Sequence, residues 1–132
     1  MEIRVLSAWG RVPVAVFHIA GDIDTQSYEE LEARAEKAHA EGAADMVLDL
    51  SQVGYVSSAG IRAINQIYRL LRTNAPGESE EAVREGIKAG TFKSPHLKLA
   101  SLNPRVREAL TFAGVDMFIE FHPDLASAVE SF

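Results

Sequence analysis

Apolar and polar residues along the chain follow two periods in turn, the alternation of strands and the three-and-four spacing of helices. Ile3 to Ala8 and Val12 to Ile19 are short runs rich in β-branched residues, separated by Trp9-Gly10-Arg11. They predict an antiparallel hairpin with a tight turn. Gly21-Asp22-Ile23-Asp24 breaks the alternation. Ser27 and Glu30 then have the spacing of a capping box for a helix from about Tyr28 to Glu41, with Leu31, Ala35 and Ala38 on its apolar face and Gly42 as its stop. Met46-Val47-Leu48-Asp49-Leu50 is a nearly continuous apolar run, the signature of a strand covered on both faces, and predicts the central strand.

Beyond the turn Ser57-Ser58-Ala59-Gly60, the residues Ile61, Ile64, Ile67, Tyr68 and Leu71 mark a second amphipathic helix. Asn74 to Pro95 is polar and holds Gly77, Gly86 and Gly90; the helix formers from Ser79 to Lys88 predict a short helix inside a surface insertion at about 74–94. Leu97 to Leu102 reads as a strand. Asn103-Pro104 has the cap-then-proline form of a helix start, and Gly114 ends that helix. Met117 to Phe121 predicts a last strand and Asp124 to Phe132 a closing helix. Strands separated by helices require crossover connections, so the expectation is an α/β fold in one domain, 1–132: a mixed sheet with an N-terminal hairpin, parallel crossovers and about four helices, plus the insertion.

Composition narrows the function more than the fold. A formal charge of -6 and a pI near 5.2 argue against a nucleic-acid ligand, which needs clustered Lys and Arg. The absence of Cys removes thiol nucleophiles and thiolate metal sites. Charges at every second position from Glu2 to Arg4 do not make a signal peptide, and no stretch approaches a membrane span, so the expected setting is cytoplasmic, without membrane insertion.

Candidate chemistry is sparse. His18, His39, His96 and His122 lack the paired spacing that sets two ligands on one helical face, so no metal or other cofactor is expected. Gly54 to Gly60 lacks the spacing of a hydrolase nucleophile elbow, and no phosphate-cradling glycine loop occurs; the chain does not read as an enzyme. Trp9, Phe17, Phe112, Phe118 and Phe121 fall on strands or an apolar helix face and are expected in the core.

Three ordered segments resemble the STAS domain, the module of sulfate transporters and anti-sigma factor antagonists. Gly21-Asp22-Ile23-Asp24 is similar to the family's turn before its first helix. Val47-Leu48-Asp49-Leu50-Ser51 with Tyr55-Val56-Ser57-Ser58-Ala59-Gly60-Ile61 resembles its strand, loop and phosphorylatable turn. Asn103-Pro104-Arg105-Val106, with Leu110, Gly114-Val115 and Ile119, resembles its last long helix and final strand.

The resemblance implies that Ser58 accepts phosphate from an anti-sigma factor that is also a serine kinase. It further implies that the unphosphorylated form binds this partner and frees a sigma factor, and that a metal-dependent serine phosphatase resets the cycle. Ser57 stands where antagonists usually carry Asp and Ala59 where many carry a second Ser, so Ser57 is an alternative acceptor.

Read from its position alone, Ser58 is expected to cap the second helix, and a phosphate there would meet the positive end of the helix dipole. Asp22, Asp24 and Asp49 would make the surroundings acidic. The expected partner surface comprises Asp22, Asp24, Ser57, Ala59, Gly60, Ile61, Arg62, Asn65 and Arg69. Two other functions fit the same sequence: an unphosphorylated STAS scaffold or subunit of a stress-sensing or lipid-transport assembly, and a small-ligand sensor.

Overall fold

A computed structural model describes residues 1–73 and 94–132; the insertion, with the helix expected at Ser79 to Lys88, lies outside the described residues. Five strands form one sheet in the order β1-β2-β3-β4-β5. β1 (Glu2–Trp9) and β2 (Pro13–Ala20) are the antiparallel hairpin, while β3 (Met46–Gln52), β4 (Leu97–Ala100) and β5 (Glu120–His122) continue the sheet in parallel. α1 (Tyr28–Ala40), α2 (Ser58–Thr73), α3 (Pro104–Phe112) and α4 (Leu125–Glu130) complete the described elements, with a 3₁₀ turn at Val115–Met117. The mixed α/β fold and the central place of β3 are as the apolar pattern requires.

Strand alternation divides the sheet into two faces. Ile3, Phe17, Ile19, Met46, Leu48, Leu50, Leu97 and Leu99 point to the side where Leu31 and Ala35 of α1, Ala63, Ile64 and Ile67 of α2, and Val106 and Leu110 of α3 pack, all buried. Val14, Val16, Val47 and Ala100 point the other way, against Ala128 and Val129 of α4. β3 is thus covered at Val47 and Leu48 on opposite faces, which is why its sequence reads apolar without alternation.

Four local expectations differ from the structure. Ser27 precedes α1 but does not form the capping box with Glu30. Its hydroxyl instead donates to the Asp22 carbonyl at 2.8 Å and accepts from the Asp24 amide at 3.0 Å, so it braces the preceding turn. The strand expected at Met117 to Phe121 begins only at Glu120. Gly114 takes a left-handed φ of 81°, and Val115 and Ile119, four apart and both buried, follow a helical period rather than alternation. Trp9 and Phe112, the last residues of β1 and α3, are 76% and 94% exposed instead of core. The fourth difference, at the start of α2, belongs to the site.

Candidate functional site

The β3–α2 loop is anchored from two directions before it reaches the serines. On one side, Ile23 is fully buried and forms an isolated parallel bridge with Val56; its amide donates to the Tyr55 carbonyl at 3.0 Å, and its carbonyl accepts from the Ser57 amide at 2.9 Å. The Gly21–Asp24 turn is therefore laid against the loop as a short extra strand. On the other side, the Asn103 side-chain amide donates to the Val53 carbonyl at 2.9 Å, and the Arg105 guanidinium sits 5.5 Å from the centre of the Tyr55 ring.

The first turn of α2 begins one residue earlier than expected. Ser58 is already helical, and Ser57 occupies the cap, with its hydroxyl accepting from the Gly60 amide at 3.3 Å and its carbonyl from the Ile61 amide at 2.9 Å. Ser58 is exposed, and its side chain has no hydrogen-bond partner among the described residues. Its position leaves the neighbouring amides at the positive end of the helix dipole, without acceptors inside the helix.

Ala59 and Gly60, expected to face a partner, are buried. A Cβ on Gly60 would lie 2.4 Å from the Ile23 carbonyl oxygen and 2.8 Å from a Val56 methyl. The missing side chain at Gly60 thus permits an approach inside the fold, between helix start and bridged turn. These two residues hold Ser58 in place from below.

The acidic surroundings also separate. Asp49 points to the α4 face and bonds the His18 ring at 2.8 Å, away from the helix starts. Asp24 is engaged within its own turn, accepting from the Gln26 amide at 3.0 Å and the Ser27 hydroxyl at 3.2 Å. Asp22 is exposed, and its carboxylate has no partner among the described residues; its Oδ1 lies 3.5 Å from where a Gly54 Cβ would stand.

One turn after Ser58, Arg62 is exposed on the same side of α2. Arg62 also faces the start of α1. The Tyr28 hydroxyl has its pKa raised, first by the hydrogen bond to Glu29 and by that residue's charge, while Arg62 pulls the opposite way. Ile61 and Asn65 are half-buried, with Asn65 Oδ1 enclosed and lacking a partner among the described residues, and Arg69 is exposed. The loop and the start of α2 are therefore mixed in charge: Asp22 lies beside Gly54, Arg105 over Tyr55, and Arg62 one turn after Ser58.

Three of the four histidines lie beside carboxylates, His96 by Asp45 at 2.9 Å, His122 by Glu120 at 3.1 Å and His18 by Asp49 at 2.8 Å, while the His39 ring bonds the Ala43 carbonyl at 3.0 Å. Among the described residues no three ligating side chains converge, and no helix is long and apolar enough to cross a membrane.

Residues 7–75 match the family model of the STAS domain. No curated protein matches the chain. Solved structures do. Its fold is similar to that of an anti-sigma factor antagonist from Mycobacterium paratuberculosis, at 21% identity and a TM-score of 0.69, over 97% of this chain and 92% of that one. It is similar to the anti-sigma factor antagonist SpoIIAA in its unphosphorylated form, at 14% identity and a TM-score of 0.71, over 98% and 94%. The phosphorylated Bacillus cell fate determinant SpoIIAA gives 15% identity and a TM-score of 0.62, over 98% and 97%.

Proposed function

The chain belongs to the STAS domain family, and we propose that it is a regulatory protein-binding domain, an anti-sigma factor antagonist switched by phosphorylation of Ser58. The carrying observation is the arrangement at the start of α2, an exposed hydroxyl on a turn whose underside is fixed by Gly60 against Ile23. Such a hydroxyl is open to a kinase, and the turn that presents it does not need to move.

Unphosphorylated, the surface of Asp22, Tyr55, Ser58, Arg62 and Arg69 binds an anti-sigma factor with serine kinase activity, which then releases its sigma factor. A phosphate on Ser58 adds roughly -1.5 to -2 charges. The helix N-terminus and Arg62 let the fold accept that charge, while an acidic or apolar partner face docked over the turn is repelled and left poorly solvated. A metal-dependent serine phosphatase restores the binding form, and the setting is the cytoplasm. The function is binding, in keeping with a regulatory family rather than with catalysis. The whole chain, 1–132, is one such domain.

Replacing Ser58 separates this reading from that of an unphosphorylated scaffold. Ser58→Ala retains capture of the anti-sigma partner in a pull-down or calorimetric titration, and Ser58→Asp weakens it at least about tenfold, the scale of a like-charge contact at an interface. Equal affinities for the two variants would favour the scaffold.

A further inference from the structure

The two edges of the sheet are finished differently. β5 is three residues long and half-buried throughout. β1 is eight residues long, contains no proline, and from Val5 to Trp9 carries no charge. It also exposes the largest apolar side chains of the sheet, Leu6 at 51% and Trp9 at 76%. Natural sheets blunt such an edge with charge, proline or brevity, because its unpaired backbone groups invite another strand. Here those protections stop at Arg4.

We propose that β1 is the interface of a homodimer in which two copies join their sheets edge to edge, antiparallel, about a twofold axis passing by Leu6. Along an antiparallel edge, backbone groups alternate between facing the partner strand and facing outward. Outward-facing positions of one copy must meet outward-facing positions of the other, so only same-parity residues pair.

Of the registers that satisfy this, the one centred on Val5 sets Leu6 against Arg4, and the one centred on Ser7 shortens the seam. Centring on Leu6 pairs Leu6 with Leu6, Val5 with Ser7 and Ile3 with Trp9. On the α1 side, each Trp9 then lies diagonally over Val5 of the second copy. Val5 and Ser7, with Ala15, Ala38 and Ala43, line a groove of about 260 Å³ between β1 and the end of α1.

The same register brings Glu2 of one copy to the Gly10-Arg11 turn of the other, so unlike charges meet at both ends of the seam. Seven paired residues per copy and the two covered side chains bury on the order of 1,000 Å², at the lower limit of a specific interface, where weak and transient associations fall, and a micromolar dissociation constant is the working expectation. The contact is isologous and closed, so it stops at two copies. It uses the sheet edge and leaves the Ser58 turn uncovered, so it is independent of the switch.

Trp9 is the sole tryptophan and the chain has no cysteine, which supplies two clean readouts. Sedimentation of the full chain from 1 to 200 µM, roughly spanning the expected constant, shows a monomer–dimer equilibrium, and tryptophan emission moves to shorter wavelength over the same range. Leu6→Lys, at an exposed position, keeps the circular dichroism of the fold and weakens dimerisation at least about tenfold. Phe112→Ser, at the other strongly exposed aromatic, leaves dimerisation unchanged. Under oxidation Leu6→Cys forms a covalent dimer faster than Ser7→Cys. A wild type that stays monomeric throughout overturns the proposal, as does a dimer indifferent to Leu6→Lys or cross-linked equally by the two cysteines. Binding of an extended peptide along β1 without self-association likewise overturns the second copy as occupant.

Discussion

α2 begins at the end of the β3–α2 loop and α3 begins against its side, where Asn103 reaches Val53, and the two starts are built to different ends. At α3, Asn103 accepts from the Val106 amide at 2.8 Å, its side-chain amide holds the Val53 carbonyl, and Pro104 occupies the first turn without an amide needing an acceptor. At α2, the cap is a serine hydroxyl at 3.3 Å, and the first helical residue is an exposed serine. The α3 start satisfies its own polar groups and also holds the loop. The α2 start leaves the Ser58 hydroxyl toward solvent and takes its rigidity from below, through Gly60 on Ile23. A helix start that is open to chemistry has to be supported by tertiary packing, because its own cap contributes little.

The sharpest way to break this contrast is Gly60→Ala. The added methyl has no room beside the Ile23 carbonyl and should destabilise the fold by about 3 kcal/mol in chemical denaturation. A loss of well under 1 kcal/mol would mean that the turn is not held from beneath.

Next in size is the pair of caps. Asn103→Ala removes both the cap and the Val53 bond and should cost about 2 kcal/mol, whereas Ser57→Ala should cost about 0.5 kcal/mol. Equal losses would erase the difference between the two starts.

The smallest effect comes from the start of α4. There the Asp124 carboxylate accepts from the Ser127 amide at 2.7 Å, and this bond, first among the causes, holds its pKa below the usual 3.8. A carboxyl depressed in the folded state contributes stability that is present above its unfolded pKa and lost as pH falls through the folded one. Asp124→Asn should therefore flatten slightly the loss of stability below about pH 4, the unfolded carboxyl range. An unchanged acid limb would show that this cap does not titrate with folding.

The same contrast explains what could be read from the sequence. The cap of α3 lies within four consecutive residues, Asn103 to Val106, and was legible because its chemistry is local. β3 was legible because burial on both faces writes a continuous apolar run. The support of Ser58 was not, since Ile23 and Gly60 are 37 positions apart in the numbering and no periodicity links them.

Ser27 misled for the same reason. It has the spacing of a capping box, but the polar groups of the Asp22–Asp24 turn compete for its hydroxyl and win. At α2 the sequence located the turn and missed its assignment by one residue. Ser57 is the cap and Ser58 the free hydroxyl, which gives the departure from Asp at position 57 a structural meaning: the residue there caps the helix.

That division of labour between the two serines is the central claim, and site mapping tests it most directly. The full chain, incubated with the serine kinases of its own cell, should carry phosphate on Ser58 when analysed by mass spectrometry, with Ser57 unmodified. Phosphate on Ser57, or on neither serine, would contradict it.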